Sequence, residues 1–390
     1  MTKFKKTILF IHRWLGFISG LVVLIVSITG CIFCFQDEIQ DAVHPYRTIA
    51  AQNRPYADPS VIKKKALEKY PHATASYIYY YGKDRPAAVL IAWPKDEFTN
   101  VYLNPYTAQI THTELASKNF FTIVEYIHLY LLLPPKVGAM VVGISVIIFV
   151  VLMITGIVLW WPKRKSDRKR SFTIKWNGRW RRVNYDLHNV LGFYAISIAI
   201  ILALTGLSMT FDWVREGIYK TANLGKTYQQ EKVFPKSDSL NKAMLITKPV
   251  IDRALIIAKQ KSPKAEMFLI FDDATTSGTV GVNAYAKSLH FGNADDYYFD
   301  KYTGKLLKYL PETQKSTGMK LGDLNYDIHV GQALGLPGKI IAFLASLICG
   351  SLPVTGFIIW LGKRKKSKKT TTKQVRTVVH RKLHKQLTTH

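Results

Sequence analysis

The chain has 390 residues, with 54 Lys and Arg against 26 Asp and Glu and a formal net charge of +28. Its length would suit two or three soluble domains, but four long apolar runs exclude a wholly soluble protein even though mean hydropathy is only +0.03. The charge argues against nucleic-acid binding because much of it gathers beside the apolar runs, at Lys3, Lys5 and Lys6, over residues 163–182, and in the tail from Lys363.

The apolar runs lie near residues 8–35, 137–161, 190–211 and 340–361. Each holds roughly 20 or more mostly apolar residues, enough for a ~30 Å hydrocarbon layer at ~1.5 Å per residue. Residues 1–36 form a basic arm and the first span, which lacks a small-residue cleavage site and is longer than a signal-peptide core. Cys31, Cys34 and Cys349 sit inside apolar runs and read as small packing residues, not as a disulfide framework or a redox motif.

Residues 37–118 read as a small α+β domain. Helical spacing covers 59–70, and strand-like runs follow at 75–81, 87–93 and 100–103, parted by turn signals at Gly82-Lys83-Asp84 and Pro94-Lys95-Asp96. Within 119–162, an apolar segment stops at Pro134-Pro135. Proline suits the first turn of a new helix, so His128 belongs to a short surface helix and the second span follows. Residues 163–184 form a basic loop, and 185–211 form the third span, with His188 near its start. A second α+β segment covers 212–322, with a helix near 249–261 and strands near 266–271, 279–285 and 296–300. Residues 323–362 repeat the surface helix, now with His329, then a break at Pro337-Gly338 and a fourth span kinked at Pro353. The tail, 363–390, is basic, Thr-rich and expected to lack ordered structure.

Four crossings set all three basic clusters on one side. The positive-inside pattern makes that side, with both termini, cytoplasmic and leaves 37–118 and 212–322 outside. The basic loops also suit anionic lipid.

The spans repeat. His12 and Thr29-Gly30 recur at one common offset as His188 and Thr205-Gly206, and His128 with Thr155-Gly156 recurs, one residue shorter, as His329 with Thr355-Gly356. The chain therefore reads as two copies of one module, each with two spans and two histidines. Residues 101–110 and 298–307 also match in character, each as strand, turn and strand.

The motifs H-x-x-L-G-F…T-G, and H…P-x-x-G/K…T-G-x-x-x-W followed by basic residues, resemble the PepSY-associated transmembrane family. The segment Asp300-x-x-Thr303-Gly304 resembles the PepSY domain itself, from which the first copy departs with Pro105-Tyr106-Thr107-Ala108. The fold this resemblance implies is an integral membrane, α-helical bundle of four spans, built as a tandem two-span repeat with two periplasmic α+β PepSY-like domains, in a bacterial inner membrane. Members of the family include reductases that hold two b-type haems and release iron from ferric siderophores. The implied function is an oxidoreductase that passes electrons across the bilayer to a ferric siderophore or other ferric chelate and releases Fe(II).

The residues carry part of this reading alone. A single histidine at a membrane edge ordinarily bonds a headgroup or a backbone carbonyl. Four at matched positions call for a function, since polar groups in spans are costly. A low-spin b haem takes two neutral imidazoles on opposite faces of its ring. A twofold axis along the membrane normal would set His12 against His188 and His128 against His329, as axial ligands of two haem b. About 17 residues, or ~26 Å of helix, separate His12 from Thr29, so the two levels would form a relay. A ligand set within one module, joining His12 to another group on its side, stays open.

Arg13 suits a haem propionate and equally obeys the positive-inside pattern. Trp14, Trp160, Trp161, Trp213 and Trp360 read as an interface belt, and the four Thr-Gly pairs as places where helices or a flat macrocycle approach closely. Asp186 and Asp327, in the shared N-Y-D-x-H, read as caps rather than as partners of their own histidines. Tyr126, Tyr130 and Tyr326 would line a chelate-docking surface or anchor the interface. No G-x-G-x-x-G follows a strand, so electrons must come from membrane quinol or a cytoplasmic reductase. No nucleophile or acid–base pair stands out. Two other classes compete: a membrane sensor or peptidase inhibitor, and a transporter. The transporter is disfavoured because the apolar interiors contain no acidic residue.

Overall fold

A computed structural model describes residues 2–93, 97–162, 164–239 and 248–387; the expected turn Pro94-Lys95-Asp96 and Lys163 lie outside these described residues. In chain order the elements are α1 (Lys3–Phe33), α2 (Gln36–Val43), α3 (Pro59–Glu68), β1 (Thr74–Tyr80), β2 (Ala87–Trp93), β3 (Glu97–Leu103), β4 (Ile110–Leu115), α4 (Phe120–Tyr130) and α5 (Pro135–Trp160). Then come α6 (Arg168–Phe172), α7 (Trp180–Asp186), a π-helical turn at Leu187–Leu191, α8 (Gly192–Thr210), α9 (Asp212–Ala222), α10 (Tyr228–Glu231) and α11 (Val250–Lys261). The strands β5 (Met267–Asp272), β6 (Thr279–Tyr285), β7 (Ala294–Asp300) and β8 (Leu306–Leu310) follow, and α12 (Thr317–His329) and α13 (Gly335–Leu387) close the described chain.

Among the described residues, four helical stretches are long and apolar enough to cross a membrane: Lys3–Phe33, Pro135–Trp160, Trp180–Thr210 and Gln332–Lys363. Their exposed side chains are apolar too. Ile18 and Leu21 are 66 and 69% exposed, a position that lipid satisfies and water does not. The protein is a multi-pass membrane protein. Its last helix corrects the expectation for the tail, since α13 continues to Leu387 instead of ending with the span. Lys, Arg, Gln and Leu are good helix formers, and after Gly362 nothing in the sequence stops the helix.

The chain divides into two compact units, and the division falls within the spanning helices. The first unit comprises Met1–Ile28, Met140–Ala203 and Leu344–His390. Met153, Ala199, Ala203 and Cys349 form its buried cluster, where small side chains let helices close on one another. Its only acidic residues are Asp167 and Asp186.

The second unit, Thr29–Ala139 with Leu204–Phe343, holds every strand found among the described residues. Here the structure corrects the picture of two separate α+β domains. The strands of 37–118 and 212–322 form one antiparallel sheet in the order β4-β3-β2-β1-β5-β6-β7-β8. β1 and β5 join the halves, with Tyr77 opposite Phe271 and Tyr80 opposite Phe268. Alone, each would be an edge with unpaired backbone groups; together they leave neither exposed. One core spans the junction and includes Ile62 of α3, Ile78 of β1, Leu255 of α11 and Ile270 of β5. The two helices meet as well. Buried Asp252 accepts from the backbone N–H of Ser60 at 2.7 Å and from its hydroxyl at 2.6 Å, and Lys248 pairs with Asp58 at 3.0 Å.

The β3–β4 and β7–β8 turns match more closely than their sequences do. Asp300 Oδ1 accepts from the N–H groups of Tyr302 and Thr303, and Asn104 Oδ1 accepts from those of Tyr106 and Thr107. Ala108 has φ +58°, beside +67° for Gly304, so the departure from Thr-Gly keeps the turn and strains one alanine.

The short helices are set by their ends. Asn119 caps α4 by accepting from Thr122 N–H at 3.0 Å, and Leu131 and Leu132 leave it with left-handed φ. The next helix then starts so close that a Cβ on Gly138 would lie 2.3 Å from the Tyr130 carbonyl oxygen. Gly338 stands against Gly331 in the same way after α12, at 2.1 Å. Each histidine-bearing short helix is thus pinned to the first turn of the span that follows it.

Candidate functional site

The four repeat-matched histidines come together as two facing pairs. In the first unit the ring centres of His12 (α1) and His188 are 6.4 Å apart with planes at 89°, and His188 sits in the π-helical turn. In the second unit those of His128 (α4) and His329 (α12) are 6.1 Å apart at 73°.

Every one of these rings is held by the threonine of a Thr-Gly pair. His12 Nδ1 lies 2.8 Å from Thr155 Oγ1, and His188 Nδ1 lies 2.9 Å from Thr355 Oγ1. His128 Nδ1 lies 3.0 Å from Thr29 Oγ1, and His329 Nδ1 lies 2.9 Å from Thr205 Oγ1. The Thr155 hydroxyl donates to its own helix at the Val151 carbonyl, 2.9 Å, and Thr355 does so at the Ser351 carbonyl, 2.9 Å. A hydroxyl has one proton. Having given it to the helix, each oxygen accepts from the ring, so Nδ1 of His12 and of His188 carries the hydrogen and Nε2 keeps its lone pair. This is how ligating histidines are fixed in one tautomer.

The glycine of three of the pairs clears the ring's edge. A Cβ would stand 3.6 Å from His12 Cε1 at Gly156, 3.2 Å from His188 Cε1 at Gly356, and 3.1 Å from His329 Cε1 at Gly206. Close approach of helices or of a flat macrocycle, the reading from sequence, accounts for the glycines but not for threonine at all four positions. The signal was available there, because any small residue would have served for packing.

The N-Y-D-x-H segments have a divided role. Asn184 donates to the Thr355 carbonyl at 3.1 Å, and Asn325 donates to the Thr205 carbonyl at 3.2 Å, so each ties its histidine's helix to the helix that holds the ring. The aspartates do not touch their own histidines, and they are not helix caps. Asp186 accepts from Lys175 N–H and Arg182 Nε, and Asp327 accepts from the Phe291 and Gly292 N–H groups of the β6–β7 loop.

Both histidines of the first pair line a cavity of about 340 Å³. Gly16, Gly20 and Gly192 open its walls, and Phe17, Phe357 and Trp360 give it flat apolar faces. Trp160 and Trp360 line this cavity, whereas Trp14, Trp161 and Trp213 are exposed. Exposed Arg13 lines the same cavity, its guanidinium 5.8 Å from the Phe10 ring centre, and Lys363 lines it as well.

Around the second pair, Tyr126 is 43% exposed, while Tyr326 is packed on Phe291 and its hydroxyl accepts from Gln36 Nε2 at 2.9 Å. Burial pushes the Glu125 carboxyl, one turn before His128, above its ordinary range and pushes the Tyr326 hydroxyl up as well.

Two metal–nitrogen bonds of roughly 2 Å in line, with about 1.1 Å from each nitrogen to its ring centre, would set ring centres roughly 6.2 Å apart. The observed 6.4 and 6.1 Å fit one ion between each pair. Among the described residues no group of three or more His, Cys, Asp or Glu comes together. Further ligands would come from a bound group, and the cavity beside the first pair, walled by Gly16, Gly20 and Gly192 and by aromatic rings, has room for a planar one. The family model of the PepSY-associated TM region matches residues 9–363. No curated protein matches the chain.

Proposed function

For a chain that belongs to the family of the PepSY-associated TM region, we propose the function of a dihaem b protein of the bacterial inner membrane that delivers electrons to a ferric siderophore or other ferric chelate outside and releases Fe(II). The observation that carries this reading is the matched set of four histidines, held in facing pairs at 6.4 and 6.1 Å, each with Nδ1 on a Thr-Gly threonine.

On this reading His12 and His188 hold one haem and His128 and His329 the other, and the haems supply a one-electron Fe(III)/Fe(II) couple at each pair. The protein's part is to orient and to exclude. Thr155 and Thr355 fix the tautomer that leaves Nε2 free, the glycines admit the macrocycle edge, and the aromatic walls keep water from the first pair. Arg13 and Lys363 supply cations for propionates. Release follows because Fe(II) is less charged and softer than Fe(III), so hard oxygen ligands hold it less well. No nucleophile or acid–base pair is needed.

The tandem two-span module and the two PepSY-like halves belong to the same proposal, supported by the strand order, which reads alike from either end, and by the matched turns. The basic first unit supports placing both termini in the cytoplasm.

The test is haem content followed by rapid kinetics. A pyridine-haemochrome assay should find about two haems per chain, and alanine at any one of the four histidines should bring this towards one. Dithionite-reduced protein mixed with ferric hydroxamates and a ferrous trap should reoxidise as the trap fills, and His329→Ala should slow both. Full haem content in all four variants refutes the ligand set. Haem that no ferric chelate reoxidises faster than buffer refutes the reductase and favours a membrane sensor.

A further inference from the structure

The first pair's cavity is joined to the surface by an aromatic stack that its apparent purpose, holding a cofactor, does not require. Trp160 and Phe193 both line the cavity and stack at 3.8 Å with planes at 11°. Phe172, the last residue of α6, packs edge-on against both, at 4.9 and 5.4 Å, and is itself 39% exposed. The contact is latched, since Trp160 Nε1 donates to the Ser171 carbonyl at 3.0 Å. The loop beyond is also anchored, because Asp186, two residues from His188, accepts from Lys175 N–H and Arg182 Nε.

The surface above Phe172 is strongly basic. Arg168, Lys169 and Arg170 make up the rest of α6 with Ser171 and are exposed. Within this unit the only acidic side chains are Asp167 and Asp186, and Asp186 is buried. The chain offers no fingerprint for a nicotinamide or flavin of its own, so its electrons arrive from elsewhere.

We propose that α6 and the basic loop around it are the docking surface for an acidic, soluble one-electron carrier protein, and that Phe172, Trp160 and Phe193 form the contact between that carrier and the first histidine pair. The proposal rests on the haem reading above and names the electron donor for it. The carrier is oxidised by one electron and the redox group held by His12 and His188 is reduced by one; no bond forms and no proton moves. Charge complementarity selects the partner and speeds its encounter. A phospholipid headgroup would need the basic surface but not an ordered aromatic path from it into the cavity.

The experiment uses the full chain in nanodiscs of phosphatidylcholine, with and without phosphatidylglycerol, and flavodoxin as the acidic carrier. Binding of oxidised flavodoxin is followed by flavin fluorescence at low and high salt, and haem reduction by flavodoxin hydroquinone is followed by stopped flow, with dithionite as a small reductant. The triple variant R168E/K169E/R170E should weaken flavodoxin binding about tenfold or more and slow reduction by it equally, with dithionite reduction unchanged. Phe172→Leu should leave binding intact and slow only the transfer from flavodoxin.

Absence of salt-dependent binding by the wild type, or wild-type binding by the triple variant, overturns the proposal. So does a triple variant whose sole deficit is lost retention of phosphatidylglycerol, which would assign the loop to headgroups. Protein that binds no haem would sink the proposed function, while the fluorescence titration would still decide the docking surface. Haem that dithionite reduces but flavodoxin does not would sink this inference alone.

Discussion

The threonine hydroxyls give the sharpest test of the histidine assignment, and Thr355→Val isolates one of them. The substitution keeps the shape and removes the oxygen that accepts from His188 Nδ1 at 2.9 Å. A buried N–H left without a partner costs about 1–3 kcal/mol, and the Leu352 carbonyl beside His188 sets the expected loss at the low end of that range. Losing the outer hydrogen bond of a metal ligand costs roughly 10–100-fold in affinity, or about 1.4–2.7 kcal/mol, so the two estimates agree. The direction for the redox couple follows too. A hydrogen bond from Nδ1 makes Nε2 a stronger donor, which favours the more highly charged Fe(III). With a haem at each pair, as proposed, removing it should raise one of the two midpoint potentials by tens of millivolts, since a tenfold change in relative affinity is about 59 mV for one electron. Potentiometric titration of the haem bands, with retention of haem on dilution, reads both. Thr221→Val is the control, because its hydroxyl donates only to the Gly217 carbonyl of its own helix, at 2.7 Å. If Thr355→Val matches that control in potential and retention, the threonine does not position a ligand and the tautomer argument fails.

Two further changes probe other links in the chain of argument. Gly206→Ala places a Cβ 3.1 Å from His329 Cε1; it should raise helix stability by up to about 1 kcal/mol while displacing the ring, so haem loss confined to one site with an unchanged or higher Tm is expected, and equal loss at both sites would refute it. Asp41 is pushed up by burial, but hydrogen bonds from Arg85 and Arg47 outweigh this and hold its carboxyl below the usual range. Its contribution to stability is therefore complete above the unfolded value of about 3.9 and is lost as pH falls through the lower folded value. Asp41→Asn should flatten the acid limb of stability followed by tryptophan fluorescence, and an unchanged limb would count against the Asp41–Arg85 clamp.

Much of the membrane part was legible because its rules are local. Bilayer-length apolar runs give the spans, and Pro134-Pro135 marks the break before the second of them. The repeat singled out His12, His128, His188 and His329 from eleven histidines. What stayed hidden depends on side-chain direction or distant pairing. That β1 and β5 join the two α+β segments cannot be read from either strand, since each pattern looks the same at an edge as at a centre. Ala108 gives no hint of φ +58°, because the turn imposes it through Asn104. Trp160 and Trp360 stand at run ends like interface anchors, and only packing shows that they also line a cavity.

The way the contacts are shared between spans explains why the repeat had to keep both residue types. His12 and Thr29 lie on one helix, α1, yet serve different pairs: His12 meets Thr155 and faces His188, while Thr29 meets His128, which faces His329. The second half of the chain follows the same rule, with His188 on Thr355 and Thr205 on His329. Each threonine thus supports a histidine of its own half, and each histidine faces one from the other half. Neither half can complete a pair alone, and each supplies half of both. A substitution that shifted α1 along its axis would therefore disturb a ligand of the first pair and the support of the second together, whereas Thr355→Val should touch the first pair only. That difference separates a local loss of ligand positioning from a general loosening of the helices.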